Sequence, residues 1–301
     1  MRFENILGHI NVKNQLQTSL DNGKVSHAYI FCGKKGIGKT MVAHAFADAL
    51  TDGSIADVTV VTNEKYDIKT VAFSVDAVRK ARTEMYTRPY LANKRVFIFP
   101  QADTMTIGAQ NALLKVFEEP PEYCVIILLA ENENLLLQTI RSRAITVRFA
   151  PLPDEIVAEY LKRKYPNTNV DIVVKLAGGS ILSADMLMSQ EGLSEMLGEF
   201  IRLMRGISSP QRASAYSIIN FLEREKANIN VLFDVMLIMF RDTLLYNGEK
   251  SDTMAIANVR SGAVLKAIDF VEARRRSLSF NANFSIAISE LLLNTWEAIH
   301  D

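Results

Sequence analysis

Gly33-Lys34-Lys35-Gly36-Ile37-Gly38-Lys39-Thr40 fits the phosphate-loop pattern G-x-x-x-x-G-K-[ST]. Ahead of it runs His27-Ala28-Tyr29-Ile30-Phe31-Cys32, a short apolar stretch that reads as a buried strand. Behind it, Val42, Ala45, Phe46, Ala49 and Leu50 recur at helical spacing between Met41 and Leu50. Strand, glycine-rich loop and helix are the setting in which backbone amides and a helix N-terminus can face phosphate oxygens. Gly33, Gly36 and Gly38 allow backbone angles and close approach that side chains would block. Lys39 is placed to reach the outer phosphates, and Thr40 to offer a hydroxyl to Mg²⁺. The alternative is a glycine turn that merely precedes a helix.

Working outward, the chain before the loop carries Phe3, Ile6, Leu7, Val12, Leu16 and Leu20, an amphipathic lead-in helix with a turn at Gly8-His9. Asp21 to Lys24 breaks it. By spacing alone His9 is an ordinary turn residue. After the loop, a polar stretch passes into a short strand at Val58 to Val61. A helix is expected from Ser74, a buried strand at Val96 to Phe99, and a strong helix from Thr106 to Phe117 stopped by Pro120-Pro121. Val125 to Ala130 reads as a further buried strand. Continuous apolar strands alternating with helices predict a parallel sheet covered on both faces, so residues 1–150 form one α/β domain. Pro151-Leu152-Pro153 reads as a linker. Helices from Asp154 to Lys164 (ended by Pro166-Asn167) and from Val170 to Leu176, without a strand, make 151–200 a small helical domain. Helical periodicity then continues to the end, giving an all-α domain over 201–301. There, Ile229 to Leu245 is apolar on more than one face, which burial in an oligomer would explain, the alternative being a monomeric helical bundle.

The 301 residues carry 34 basic and 34 acidic side chains, so no general nucleic-acid coat is indicated. Arg274-Arg275-Arg276 reads as a solvated helix end that complements the dipole. The cysteines are Cys32 and Cys124, both in apolar runs and expected to be buried; no Cys-rich metal site can be built from two. No apolar run is long enough to span a bilayer and no secretory signal opens the chain, so the expected location is the cytoplasm without membrane contact.

An ATPase built on such a loop needs carboxylates at the end of a second core strand, to organise Mg²⁺ and to polarise water. Strand Val96-Phe97-Ile98-Phe99 is followed by Pro100-Gln101, which can do neither. Asp103 lies just beyond; a helix cap is favoured for it over a metal ligand. No metal ligand is therefore assigned.

Several blocks in one order now bring a family into view. Phe3-Glu4-Asn5-Ile6-Leu7-Gly8-His9, His27 to Phe31, the phosphate loop, Asn111-Ala112-Leu113-Leu114-Lys115-Val116-Phe117-Glu118-Glu119-Pro120-Pro121 and Thr139-Ile140-Arg141-Ser142-Arg143 together resemble the bacterial clamp loaders of the AAA+ class. The resemblance covers most of residues 1–180. It implies an AAA+ P-loop parallel-sheet domain, a small helical lid and an all-α collar that joins a ring of homologous subunits. Gly8 and His9 would lie against the adenine of ATP or ADP. Pro100 and Gln101 replace the Walker B Asp and Glu of active members, Glu131-Asn132 stand where a sensor threonine is expected, and Leu182 stands where a second sensor has arginine. The zinc module of many members is absent. Ser142-Arg143 matches the pair that supplies an arginine finger to ATP on a neighbouring subunit. By spacing alone Arg143 would form a structural ion pair or merely cap a strand at Ile145-Val147. The implied partners are other loader subunits in a hetero-pentamer, and through them a sliding clamp and primed DNA. The implied function is a non-hydrolysing loader subunit. The alternatives are a self-sufficient AAA+ motor, against which Pro100-Gln101 counts, and a small-molecule kinase, which would be a compact single domain with a lid.

Overall fold

The computed structural model describes residues 3–66, 68, 73–166, 168–246 and 254–301. The chain divides into two compact units: Met1–Glu159 with Gly178–Leu182, and Tyr160–Ala177 with Ser183–Asp301.

In the first unit α1 (Ile10–Asp21) leads to β1 (Ala28–Cys32), the phosphate loop and α2 (Lys39–Leu50). Then follow β2 (Val58–Val60), α3 (Val75–Met85), β3 (Arg95–Phe99), α4 (Ile107–Glu118), β4 (Cys124–Ala130), the single turn α5 (Gln138–Arg141) and β5 (Ile145–Arg148). All five strands pair in parallel, in the order β2-β3-β4-β1-β5. Strands that show no polar alternation do so because both faces are covered. Ile30, Phe97, Phe99, Ile126 and Leu128 point to the face packed by α3 and α4. Tyr29, Phe31, Val96, Ile98 and Ile127 point to the opposite face, under α1 and α2. This is the parallel α/β sheet, covered on both faces, that the sequence predicts. Ser74 and Thr106 cap α3 and α4 by accepting from the amides of Ala77 (3.1 Å) and Ala109 (3.2 Å). Gly178–Leu182 returns to this unit late in the chain: the Leu152 amide donates to the Gly179 carbonyl (3.1 Å).

α6 (Asp154–Lys164) runs out of the first unit into the second. There follow α7 (Asp171–Ala177), α8 (Ile181–Met188), α9 (Leu193–Arg205), α10 (Ala213–Arg224), α11 (Ile229–Tyr246), α12 (Ser261–Ser279) and α13 (Phe284–His300). No strand occurs among the described residues after β5, as expected. α9 runs unbroken through residue 200, and its apolar stripe buries Leu197, Phe200 and Met204, with Phe200 stacked on Phe221 at 5.4 Å.

α11 buries Leu232, Phe233, Val235, Met236, Met239 and Phe240 against helices of its own unit, chiefly α12, α7 and α9, while Leu245 stays exposed. Three expectations need correction. Of the two cysteines Cys124 is buried, whereas Cys32 is half-buried because it ends β1 where the sheet opens towards the loop. The second concerns Asp103 and is described below. The break placed at Asn167 lies outside the described residues. The third concerns the basic run: Arg274 and Arg275 are not a solvated helix end but are about two-thirds buried within α12 and ion-paired with Glu290 (2.9 Å) and Asp234 (2.7 Å).

Candidate functional site

The phosphate loop leaves β1 at the carboxyl edge of the sheet. The Gly33 amide donates to the Ala130 carbonyl at the end of β4 (3.1 Å), which fixes the start of the loop to the neighbouring strand. A Cβ on Gly33 would stand 2.6 Å from the Phe149 carbonyl oxygen, so only glycine fits. Gly36, at φ +77°, is covered by Ser180 and Leu182; a Cβ there would be 2.3 Å from Ser180 Oγ and 2.6 Å from Leu182 Cβ. Gly38 opens α2 without a side chain, and its carbonyl accepts the first helical bond from Val42 (3.1 Å). Thr40 is exposed in the first turn.

Lys39 is almost wholly buried. Its Nζ donates to the carbonyls of Gly33 and of Lys34 (2.9 Å), so the side chain lies within the loop it serves. Burial lowers its pKa, partly opposed by Glu131, Asp103 and the Cys32 thiol nearby. His9, the residue before α1, has left-handed backbone angles; its Nε2 donates to the Ile37 carbonyl (2.6 Å) and its ring meets Phe149 edge-on at 5.0 Å. Gly8 is equally constrained, at φ +63° with a Cβ only 2.4 Å from Leu152 Cδ2. The structure thus gathers Gly8, His9, Gly33, Gly36, Gly38, Lys39 and Thr40 around one loop.

At the end of β3 the chain turns at once. Gln101 adopts left-handed angles (φ 52°, ψ 42°), and its carbonyl accepts from the Thr104 amide and hydroxyl (2.9 and 2.8 Å). Asp103 does not cap the following helix, where Thr106 already serves. Its Oδ2 instead accepts from the amides of Glu131 (2.8 Å) and Asn132 (3.1 Å), tying the turn after β3 to the turn after β4. Nothing in its sequence position showed that partner, because the contact joins two strand ends 28 and 29 residues apart. Asn132 is itself a cap, accepting from the Asn134 amide (3.0 Å).

These residues fit a phosphate-bearing nucleotide: a glycine-lined cradle, a buried lysine and a helix N-terminus converge. They do not fit a magnesium ion held by carboxylates at the strand end. Pro100 and Gln101 carry none, and Asp103 is engaged by two amides. Among the described residues no group of three or more His, Cys, Asp and Glu gathers as metal ligands.

Arg143 stands apart from the loop, just beyond α5, on an exposed surface of the first unit. Its Nη1 donates to the Thr139 carbonyl (3.1 Å) and its Nη2 lies 3.5 Å from Glu118 Oε1 at the end of α4. Of the two structural readings that spacing offered, the ion pair is the one present, yet both side chains stay open to solvent.

Residues 8–153 match a family model described as DNA polymerase III, delta subunit. The tau subunit of Bacillus subtilis DNA polymerase III is 26% identical over 81% of this chain and 50% of its own. The chain therefore spans half the length of that relative. The delta' subunit of the same organism is 24% identical over 94% of both chains. The crystal structure of a gamma subunit-related protein of Thermotoga maritima superposes with a TM-score of 0.48 at 22% identity, covering 94% of this chain and 99% of that one. The match extends across the phosphate loop, the sheet and the Ser142-Arg143 pair, and over that stretch the chain is similar to subunits of DNA polymerase III.

Proposed function

We propose that the chain is a delta-prime-type subunit of the loader, one that holds a nucleotide without cleaving it and acts on a neighbour through Arg143. The observation that carries this reading is the end of β3. Pro100 and Gln101 occupy the two places where carboxylates would be needed, and Asp103, the nearest acid, is bonded to backbone amides. The phosphate cradle supports binding of ATP or ADP with Mg²⁺ carried in on the phosphates, as a brace for the loop. An exposed guanidinium can stabilise charge on a phosphoryl group in transit, an effect worth about 10³ to 10⁵ in rate in other phosphoryl-transfer systems. The partners proposed are the other subunits of a hetero-pentameric ring, joined through the C-terminal helices as a collar. Through the ring they are a sliding clamp and primed DNA in the cytoplasm. The three-part division at about 150 and 200 belongs to this proposal.

Two experiments test it. The isolated chain, in excess over labelled ATP, is expected to bind nucleotide and release no phosphate in a single turnover. Steady cleavage would instead support the self-sufficient motor. In the reconstituted loader, Arg143→Ala is expected to leave assembly intact and lower ATP turnover by at least about tenfold. An unchanged rate refutes the finger.

A further inference from the structure

We propose that Glu118 is a positioning residue for Arg143, holding the guanidinium in the attitude from which it meets a phosphate on the neighbouring subunit. The inference rests on the arginine-finger reading above. Three observations lead to it.

The first is electrostatic. Glu118 is the last residue of α4, and Glu119 follows as its C-cap. Carboxylates at a helix C-terminus oppose the helix dipole, so helix stability does not account for one here. The Pro120-Pro121 stop fixes where the helix ends and hence where this carboxylate stands. Facing it is Arg143, the side chain whose direction matters.

The second is energetic. The side chains of Glu118 and Arg143 are 53% and 39% exposed, and an ion pair this open contributes little to folding. It can still narrow the rotamers of a long, flexible side chain. Nη1 on the Thr139 carbonyl and Nη2 beside Glu118 hold opposite corners of the guanidinium plane. A guanidinium has five N–H groups, so its remaining donors stay suited to a bidentate approach by phosphate.

The third is mechanical. The same helix anchors the segment that carries Arg143. Buried Gln110 of α4 donates to the Leu135 carbonyl (3.0 Å) and accepts from the Leu137 amide (2.7 Å), at the entry to α5. Ile140, within α5, is fully buried against the same core as α4. Glu118 completes this attachment at the far end, beyond α5. The backbone and the guanidinium are thus both referred to α4.

The test is a double-mutant cycle on ATP turnover in the reconstituted loader, with Glu118→Ala, Glu118→Gln, Arg143→Ala and Glu118→Ala/Arg143→Ala. Glu118→Ala is expected to lower kcat about fivefold with KM for ATP unchanged. Glu118→Gln, which keeps an acceptor, is expected to recover much of that loss. In the Arg143→Ala background Glu118→Ala should change nothing further, which a merely structural role for Glu118 would not produce. If Arg143→Ala slows turnover while Glu118→Ala does not, or if the two losses multiply, the positioning role is overturned and the finger stands. If Arg143→Ala has no effect, the finger falls, and this inference with it.

Discussion

Asp57 shows what a single buried carboxylate does in the first unit. It is wholly buried, and it accepts from the amides of Tyr90 (2.6 Å), Leu91 (2.9 Å) and Ala92 (2.9 Å) and from the Ser54 hydroxyl (2.8 Å). Burial alone would raise its pKa; the four donors outweigh it and hold the group at about 2, below its ordinary 3.8. A carboxyl depressed on folding stabilises the fold above its unfolded pKa, and that contribution fades as pH falls through 3.8 towards 2. Asp57→Asn should therefore cost about 2 kcal/mol at pH 7 and flatten the loss of stability below pH 4. Urea unfolding at several pH values measures both. Residues of this kind were not legible in the sequence: Asp57 and Asp103 both act on amides far along the chain, which no local pattern signals. Lys39 and Arg143 were legible because each sits in a motif with its own spacing. The partner of Arg143 was less so, although a carboxylate at the end of α4 is a misplaced charge that could have been followed.

Among the elements, strands and helices followed the sequence closely. β3 gains only Arg95 over the expected strand and β4 only Cys124, since uninterrupted apolar runs between turns leave little choice. Helices α8 and α9 were not separated by periodicity, because the helical region there is crossed only by a short turn with Gly192 at φ +72°. The cover over the phosphate loop was the least legible element. Its residues, Gly178–Leu182, lie 142 or more positions after Gly36 in sequence, and only packing brings them there. Gly36→Ala tests that packing. The added methyl would collide with Ser180 and Leu182, and φ +77° is strained for alanine. We expect a loss of about 1–3 kcal/mol and weakened nucleotide binding, read from thermal unfolding and from nucleotide titration of the isolated chain. Gly23→Ala, with φ +63° but open space around it, should show the backbone strain alone.

Across the whole molecule, each unit contains its own buried carboxylate. In the second unit Asp242 is ion-paired with Lys175 (2.6 Å) and accepts from the Met254 amide (3.1 Å), joining α7 and α11 to the segment before α12. Burial pushes its pKa up, but Lys175, the Met254 amide and Arg241 together bring it below the ordinary value. Both units should therefore weaken in acid, in the same direction and below about pH 4. Asp242→Ala, which strands the Lys175 ammonium, should cost about 3 kcal/mol. The gap between the melting temperatures of the wild type and of this variant is expected to be smaller at pH 3 than at pH 7, because the contribution of the depressed carboxyl fades as pH falls below its unfolded value. No helix among the described residues is long and apolar enough to cross a membrane.

The return of Gly178–Leu182 to the first unit bears on how the gene can be cut. The chain leaves that unit after Glu159, comes back for five residues and leaves again. No contiguous fragment that stops near residue 150 or 160 contains the whole of it. Such a truncation would strip the backing from Gly36 and take away the carbonyl that receives the Leu152 amide, so its failure to hold nucleotide would reveal nothing about the loop itself. A faithful dissection has to splice Gly178–Leu182 back on through a short linker, or leave the chain intact.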